Sequence, residues 1–305
     1  MRWQHKARIM RACSRVPFGD YLYKELQKRF GRLGADPMLR LPTALTLSHW
    51  AAEAGRPIEG CTALEVGTGH KPIVPIGLFL LGARRVYTFD LNRRLDLPLV
   101  TGALRWIAKH RDDVQELFAG ATDRTALATR LDLLSRYASA PLKFFDAAQI
   151  IYRAPADAAH TELQDASVDL HISVTVLEHI PPPGIEAILL EARRVLAPDG
   201  IAVHFFDPSD HFAHQDSTIH LINFLRFSEE EWRRLANNQF AYCNRLRRSQ
   251  YHPIYARTGF RVAREEGDVD AVSLGALRAG FRLDDQFREF APEDICTTAV
   301  RVLLQ

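Results

Sequence analysis

Short apolar runs alternate with amphipathic stretches along most of this chain. Thr62–Val66, Arg85–Phe89, Ile150–Arg153 and Val168–Val174 are brief, mostly apolar and bounded by turn-forming residues, so each predicts a buried strand. Ala197-Pro198-Asp199-Gly200 reads as a turn, and IAVHFF after it, residues 201–206, predicts a fifth strand. Helical patterns fill the gaps. Pro72 stands where the first turn of a helix tolerates it. LVTGALRWIAKH, VQELF and ALATRLDLLSRYA make residues 91–148 mainly helical. Pro181-Pro182-Pro183-Gly184 leads into IEAILLEARRVL, whose apolar positions recur at three-to-four spacing. GFRVARE and TAVRVLLQ, near the end, predict a final antiparallel pair. Before the first strand lie two helical patterns, YLYKELQKRF and LPTALTLSHWAAEAG, punctuated by Gly31, Gly34, Pro37 and Pro42. Strand and helix in this rhythm predict an α/β fold: a doubly wound, mostly parallel sheet of about seven strands, covered on both faces. A helical N-terminal cap is expected over residues 1–58, with the main domain over 59–305 and a helical insertion over residues 91–148.

Composition narrows the class. With 305 residues, 47% hydrophobic and 25% charged, the chain reads as an ordinary soluble globular protein. A net charge of +2 gives no basic face for nucleic acid. Cys13, Cys61, Cys243 and Cys296 form no CxxC pair, which points to reduced thiols in a cytoplasm. The longest apolar stretch, Ile73 to Leu81, contains Pro75 and falls short of the roughly 20 residues that span a bilayer. The first twenty residues hold no acid before Asp20 and no apolar core of a secretory signal, so a solvated basic helix is expected there.

The loop after the first strand carries the first chemistry. Glu65-Val66-Gly67-Thr68-Gly69-His70-Lys71-Pro72 contains GxG without the full GxGxxG. Two glycines let backbone approach a ligand closely, and the helix start that follows favours anionic groups. Asp90 lies 23 positions after Gly67, at the next strand end, where an acid accepts from ribose hydroxyls. The pair fits a nicotinamide dinucleotide or S-adenosylmethionine.

The later blocks separate these two. ExGxG at Glu65–Gly69, the acid Asp90, RAPADAAHTELQDASVDLHISVTVLEHIPPP from Arg153 to Pro183, and RRVLAPDG before the fifth strand together resemble the class I S-adenosylmethionine-dependent methyltransferases. The resemblance covers roughly residues 60–207 and implies a Rossmann-like sheet with S-adenosyl-L-methionine as cofactor. It implies that Gly67 and Gly69 pass under the methionine portion, with Glu65 bracing the loop. Asp90 would bind the ribose, Leu91 would lie against the adenine, and Asp157 would accept from the adenine amino group beside the Ala158 backbone. Val174 would offer its carbonyl to the methionine ammonium. Lys71 stands where the family's loop has a third glycine, so it either crowds the cofactor or reaches its carboxylate. A looser resemblance, in DPSDHFAHQDSTIHLINFLRFSEEEW and YCNRLRRSQYHPIYARTGF, is to bacterial methyltransferases of polysaccharide and secondary-metabolite gene clusters.

Methyl transfer from a sulfonium is an in-line displacement, so the protein mainly positions the acceptor. A hydroxyl acceptor also needs a base near neutral pKa, and histidine is the natural one. His179 in LEHI and His211 in DHFAHQD follow the fourth and fifth strands and are the candidate catalytic bases, with Asp207 and Asp210 placed to orient His211. His214, Asn223, Arg226 and Arg245 are candidate acceptor-binding residues; with Arg247, Arg248 and Asn244 they could grip an acidic acceptor. Phe18, Tyr21 and Tyr23 could form a lid. A metal is not expected. Asp210, His211, His214 and Asp216 would ligate one ion only if their loop curled, and the Glu, Glu, His set some relatives use has Thr175 in its first place. The place after the fourth strand lacks the Asn/Asp-Pro-Pro-aromatic pattern of DNA-base methylation, and Glu178 has no second framing glutamate. The expected function is therefore methyl transfer to a small-molecule or glycan acceptor, foremost a hydroxyl, with a homodimer as a possible assembly. Two other readings stay open: an enzyme of this fold that uses the cofactor without transferring methyl, as an intramolecular cyclase or lyase, and a cofactor-binding protein without turnover.

Overall fold

A computed structural model describes residues 2–16, 34, 36–236, 238 and 240–305. The pattern YLYKELQKRF and the aromatics Phe18, Tyr21 and Tyr23 lie outside the described residues.

Seven strands form one sheet in the order β3-β2-β1-β4-β5-β7-β6. They are β1 (Thr62–Val66), β2 (Arg85–Phe89), β3 (Ile150–Arg153), β4 (Val168–Val174), β5 (Leu196–Phe206), β6 (Val262–Val269) and β7 (Thr297–Leu304). The first five run parallel, and β7 enters antiparallel between β5 and β6. This is the expected Rossmann-like α/β architecture, and the first four strands keep the bounds their apolar runs predict. Order reverses between β1 and β4, which opens the crevice where such sheets bind ligands. Register brings the carboxyl ends level: Val66 pairs with Phe89 and with Ser173, and Ser173 pairs with His204.

β5 differs from expectation. It starts at Leu196, so the Ala197–Gly200 segment lies inside the strand. Pairing advances from Leu196 to Ile201 on β5 while β4 advances only from Val168 to Leu170. The turn chemistry is there, but it makes a bulge in a continuing ladder instead of starting the strand.

Side chains alternate across the sheet, as a pleat requires. Ala63, Val86, Leu170 and Val203 point to one core, with helices Leu41–Glu53, Ile73–Leu80 and Leu97–Lys109. Leu64, Val66, Ala202 and Val302 point to the other, with helices Pro182–Val195 and Arg248–Arg257. Helix Leu41–Glu53, inside the expected cap, packs into the main core; a Cβ at Gly77 would lie 2.4 Å from the Ala44 Cβ. A third core joins helix Trp3–Cys13 to Phe212, Phe224 and Trp232. That first helix is not solvated on all sides. Trp3, Ala7, Met10 and Cys13 are buried, a stripe at helical spacing between its basic residues. Among the described residues no helix is long and apolar enough to cross a membrane.

Candidate active site

Five loops leave the level carboxyl edge of the sheet, after β1, β2, β3, β4 and β5, and most of the expected site residues stand on them or on the strand ends that feed them. In the first, Gly67 has φ +86°, and a Cβ there would come within 2.4 Å of Val176. Only glycine satisfies both the left-handed backbone and that approach. Gly69, at φ +67°, faces open space where its Cβ would be. Behind the loop, Glu65 is buried and accepts from the Thr88 hydroxyl at 2.5 Å, and Thr88 in turn meets the Thr68 hydroxyl. The loop is thus braced onto β2 through two threonines that nothing in the motif announces. Burial pushes the Glu65 carboxyl up to about 8, against the Thr88 hydrogen bond, so it is neutral at pH 7.

Asp90 ends β2, buried, with Oδ1 accepting from the Gly69 N–H and Oδ2 from the Tyr152 hydroxyl, each at 3.3 Å. Burial raises its pKa to about 6, opposed by these bonds, so it is mainly ionised at pH 7. Two long bonds leave a carboxylate free capacity for hydroxyl donors. Tyr152, on β3, also receives the Arg94 and Leu95 N–H groups at 3.2 and 3.3 Å and so shapes the loop after Asp90. Sequence reasoning missed it; its one signal is a polar-tipped residue near the end of an edge strand. Leu91 is 70% exposed beside Asp90. Asp157 is also exposed, its Oδ1 taking the Ala159 N–H at 2.8 Å, and Ala158 is buried beside it. The Lys71 ammonium neither crowds this cradle nor reaches into it: it donates to the carbonyls of Gly34 and Asp36. A glycine backbone facing open space and a strand-end carboxylate with spare acceptor capacity fit the adenosyl and methionine parts of S-adenosylmethionine.

After β4 the backbone turns at Thr175, a β-branched residue at φ +54°. Its hydroxyl donates to the Val174 carbonyl at 2.7 Å and accepts from Arg40 Nη2 at 3.2 Å. Such strain persists where surrounding structure enforces it, commonly at functional sites. Residues Leu177–His179 then form one 3-10 turn.

Here the site histidines converge. The His179 and His211 ring centroids lie 4.9 Å apart, and those of His211 and His214 5.6 Å. His179 Nδ1 lies 2.8 Å from the Tyr242 carbonyl; His211 Nε2 lies 3.3 Å from the Asp207 carbonyl; His214 Nε2 lies 3.0 Å from Asp207 Oδ2. Carbonyls only accept, so Nδ1 of His179 and Nε2 of His211 carry their protons, and the other ring nitrogens hold lone pairs. Burial pushes His211 down to about 4, helped by the nearby His179, and burial also lowers His179. The Asp207 carboxylate raises His214. The three rings border a cavity of about 560 Å³, whose apolar wall is Met10, Phe212, Phe224 and Trp232. A volume in the range of small-molecule sites, with convergent polar groups on one side, is what a binding pocket requires.

The remaining expected contacts fall elsewhere. Asn223 is buried and donates to Asp210 Oδ2 at 3.2 Å. Arg226 lies over the Phe227 and Phe281 rings. Arg245 is buried, bound to the carbonyls of Phe224 and Phe227 and to Glu229. Arg247 is wholly buried, its Nη2 donating to the Pro208 carbonyl at 2.7 Å. Arg245 and Arg247 hold the walls of the pocket, because the carbonyls of irregular loops need buried donors, while Arg226 is exposed and packs on two rings. Asp210 and Asp216 are likewise taken: Asp210 accepts from the Phe212 N–H and Asn223, and Asp216 accepts from the N–H of Trp3, capping the first helix from a distant loop. The four-ligand set Asp210, His211, His214 and Asp216 therefore does not assemble.

Residues 114–204 match the family model described as a methyltransferase domain. No match is found among the curated proteins. Among solved structures, the chain is similar to magnesium protoporphyrin IX methyltransferase from Synechocystis with bound S-adenosylhomocysteine (14% identity, 87% of this chain and 81% of that one, TM-score 0.43). It is also similar to geranyl diphosphate C-methyltransferase from Streptomyces coelicolor (13% identity, 85% and 79%, TM-score 0.47).

Proposed function

We propose that the chain is a class I, S-adenosylmethionine-dependent methyltransferase, as its methyltransferase-domain match over residues 114–204 supports, and that it methylates a hydroxyl group of a small-molecule or glycan acceptor bound in the histidine-bordered cavity. The observation that carries this reading is the meeting of three imidazoles beside a cavity of about 560 Å³, at the same sheet edge as the glycine loop and Asp90.

Bound in that cradle, the cofactor supplies a methyl group activated by a sulfonium, with a neutral thioether as leaving group. Asp90 accepts the ribose hydroxyls, Leu91 covers the adenine beside Asp157 and Ala158, and the Val174 carbonyl receives the ammonium. Glu65, neutral, fixes the loop without adding charge beneath it. The apolar wall of Met10, Phe212 and Trp232 excludes water and holds the acceptor in line. His211 Nδ1 carries a lone pair and accepts the hydroxyl proton as the C–O bond forms; the electron pair of the broken C–S bond stays on sulfur. Asp207 stabilises the imidazolium so formed and keeps His214 beside it. His179, fixed by Tyr242, holds the acceptor on the β4 side and is the other available base.

Incubation with cofactor and a panel of hydroxyl compounds and acidic sugars, read by mass spectrometry, tests the reading. The expected result is S-adenosylhomocysteine together with a product heavier by one methylene. Methylthioadenosine in its place would overturn it in favour of cyclase or lyase chemistry. His211→Ala is expected to lower turnover roughly 100-fold, the scale of a lost general base. A loss below about tenfold would move the role to His179.

A further inference from the structure

The histidine cluster has a second chemical capacity. One ligand atom each from Glu178, His179 and His211 lie within 4.8 Å of one another, and so do one each from Asp207, His211 and His214. Glu178 is fully buried. Its Oε1 accepts the Asp207 N–H at 3.2 Å, and its Oε2 is buried with no hydrogen-bond partner. Such an atom is costly in a protein interior unless something else satisfies it.

The imidazoles are oriented for the same task. His179 donates Nδ1–H to the Tyr242 carbonyl and presents Nε2 as a lone pair; His211 donates Nε2–H to the Asp207 carbonyl and presents Nδ1. A ring fixed through one nitrogen by a backbone carbonyl, with the other nitrogen free, is the usual arrangement of a metal-ligating histidine. Two histidines and one carboxylate, with room beside them, suit a divalent first-row transition cation and leave a position for an outside oxygen.

We propose that Glu178, His179 and His211 bind one divalent transition-metal ion at the inner end of the acceptor cavity, with Asp207 and His214 adjoining it. The sequence pattern pointed away from a metal because Thr175 replaces the first glutamate of a known ligand set. The fold instead brings His211 from the loop after β5. His179 and His211 line the cavity, so a cation held there would lie within reach of an acceptor hydroxyl, which would lose its proton more readily if it coordinated. The ion and the proton-accepting imidazole are thus alternative means of activating one acceptor at one place.

The test uses the full chain, freed of metal by a chelator and titrated with cobalt(II) chloride. Visible d–d absorption reports coordination by nitrogen and oxygen, and Zn²⁺ competition reports affinity. The expected result is saturation near one ion per chain, with His179→Ala, His211→Ala and the isosteric Glu178→Gln each weakening binding at least about 100-fold. Binding of S-adenosylhomocysteine is measured on the same samples. If the wild-type chain binds the nucleoside but takes up no cobalt, the metal proposal falls and the methyltransferase reading stands. Cobalt bound equally well by His211→Ala and Glu178→Gln would also overturn it, since the ion would then sit elsewhere. The nucleoside measurement guards against misfolding, because a variant that retains it has kept the sheet edge intact.

Discussion

The proposed cofactor cradle and the proposed acceptor cavity share one edge of one sheet, yet they are built differently. The cradle is centred on two consecutive strand-loop units, β1 through Asp90, with cross-braces between adjacent strands from Thr88 and Tyr152. The cavity draws on the first helix, the turn after β4, the loop after β5 and the segment around Phe224 and Trp232. Beyond the apolar core they share, its parts are fastened by buried polar groups: Asp216 caps the Trp3 helix, Arg245 and Arg247 bind loop carbonyls, and Glu178 takes the Asp207 N–H. The cradle is therefore fastened between neighbouring strands, whereas the cavity is fastened between segments distant in the chain.

The strongest test of that contrast is Arg247→Met. Its guanidinium binds the carbonyls of Pro208, Arg245 and Ile295, and burial lowers its pKa to about 10. Loss of several charge-assisted bonds to buried carbonyls is expected to cost about 4 kcal/mol of folding stability, measured by urea denaturation. A cost under about 1 kcal/mol would mean the carbonyls find other donors and the fastener argument fails.

The same contrast explains what was legible in the sequence. Strand periods, the GxG turn and Asp90 are local, so the fold and a nucleotide-binding strand edge are legible from spacing, whereas the choice of S-adenosylmethionine and the roles of Leu91, Asp157 and Val174 rest on the family resemblance. The bulge at residues 197–200 was read as a turn because the same residues serve both. Arg226 and Arg245 were read as acceptor contacts from charge alone, but nothing in a charge run says whether it meets solvent, ligand or loop carbonyls. Tyr152, Thr88 and the third-ligand position of His211 depend on register between strands, which one chain read in order does not display.

On the cradle side, Glu65→Gln keeps the Thr88 bond and removes a titrating group. The buried carboxyl favours its neutral form in the fold, with a pKa near 8 against 4.5 ordinarily. Its contribution to stability is complete below about 4.5 and is lost as pH rises through 8. The variant should escape that loss and gain up to about 5 kcal/mol relative to wild type between pH 4 and pH 9, read from thermal melts. Parallel pH profiles for the two proteins would show that Glu65 is already solvated.

Asp90→Ala is expected to weaken S-adenosylhomocysteine binding by about 2 kcal/mol in calorimetry, the scale of charge-assisted hydrogen bonds, while leaving cobalt uptake at the histidines unchanged. In the wild type, affinity should fall as pH drops through about 6, where the carboxylate takes up a proton and accepts more weakly. Affinity independent of both changes would remove Asp90 from the cradle.

The smallest effect is expected at the seam between the two regions. Thr175 holds a left-handed φ that costs a β-branched residue about 1–3 kcal/mol, and its hydroxyl links Arg40 to the Val174 carbonyl. Glycine would relieve the strain and lose those two bonds. Thr175→Gly should therefore change stability by no more than about 1 kcal/mol in urea denaturation, as the relief is offset by the lost hydrogen bonds and by the greater unfolded-chain entropy of glycine. The Val174 carbonyl would be freed on the cradle side and the path from Val174 to Glu178 loosened on the cavity side. If Thr175 couples the regions, nucleoside binding stays level while cobalt affinity falls severalfold. If both stay level, the strain is a cost of the chain reversal alone, and cradle and cavity meet at this seam without influencing each other.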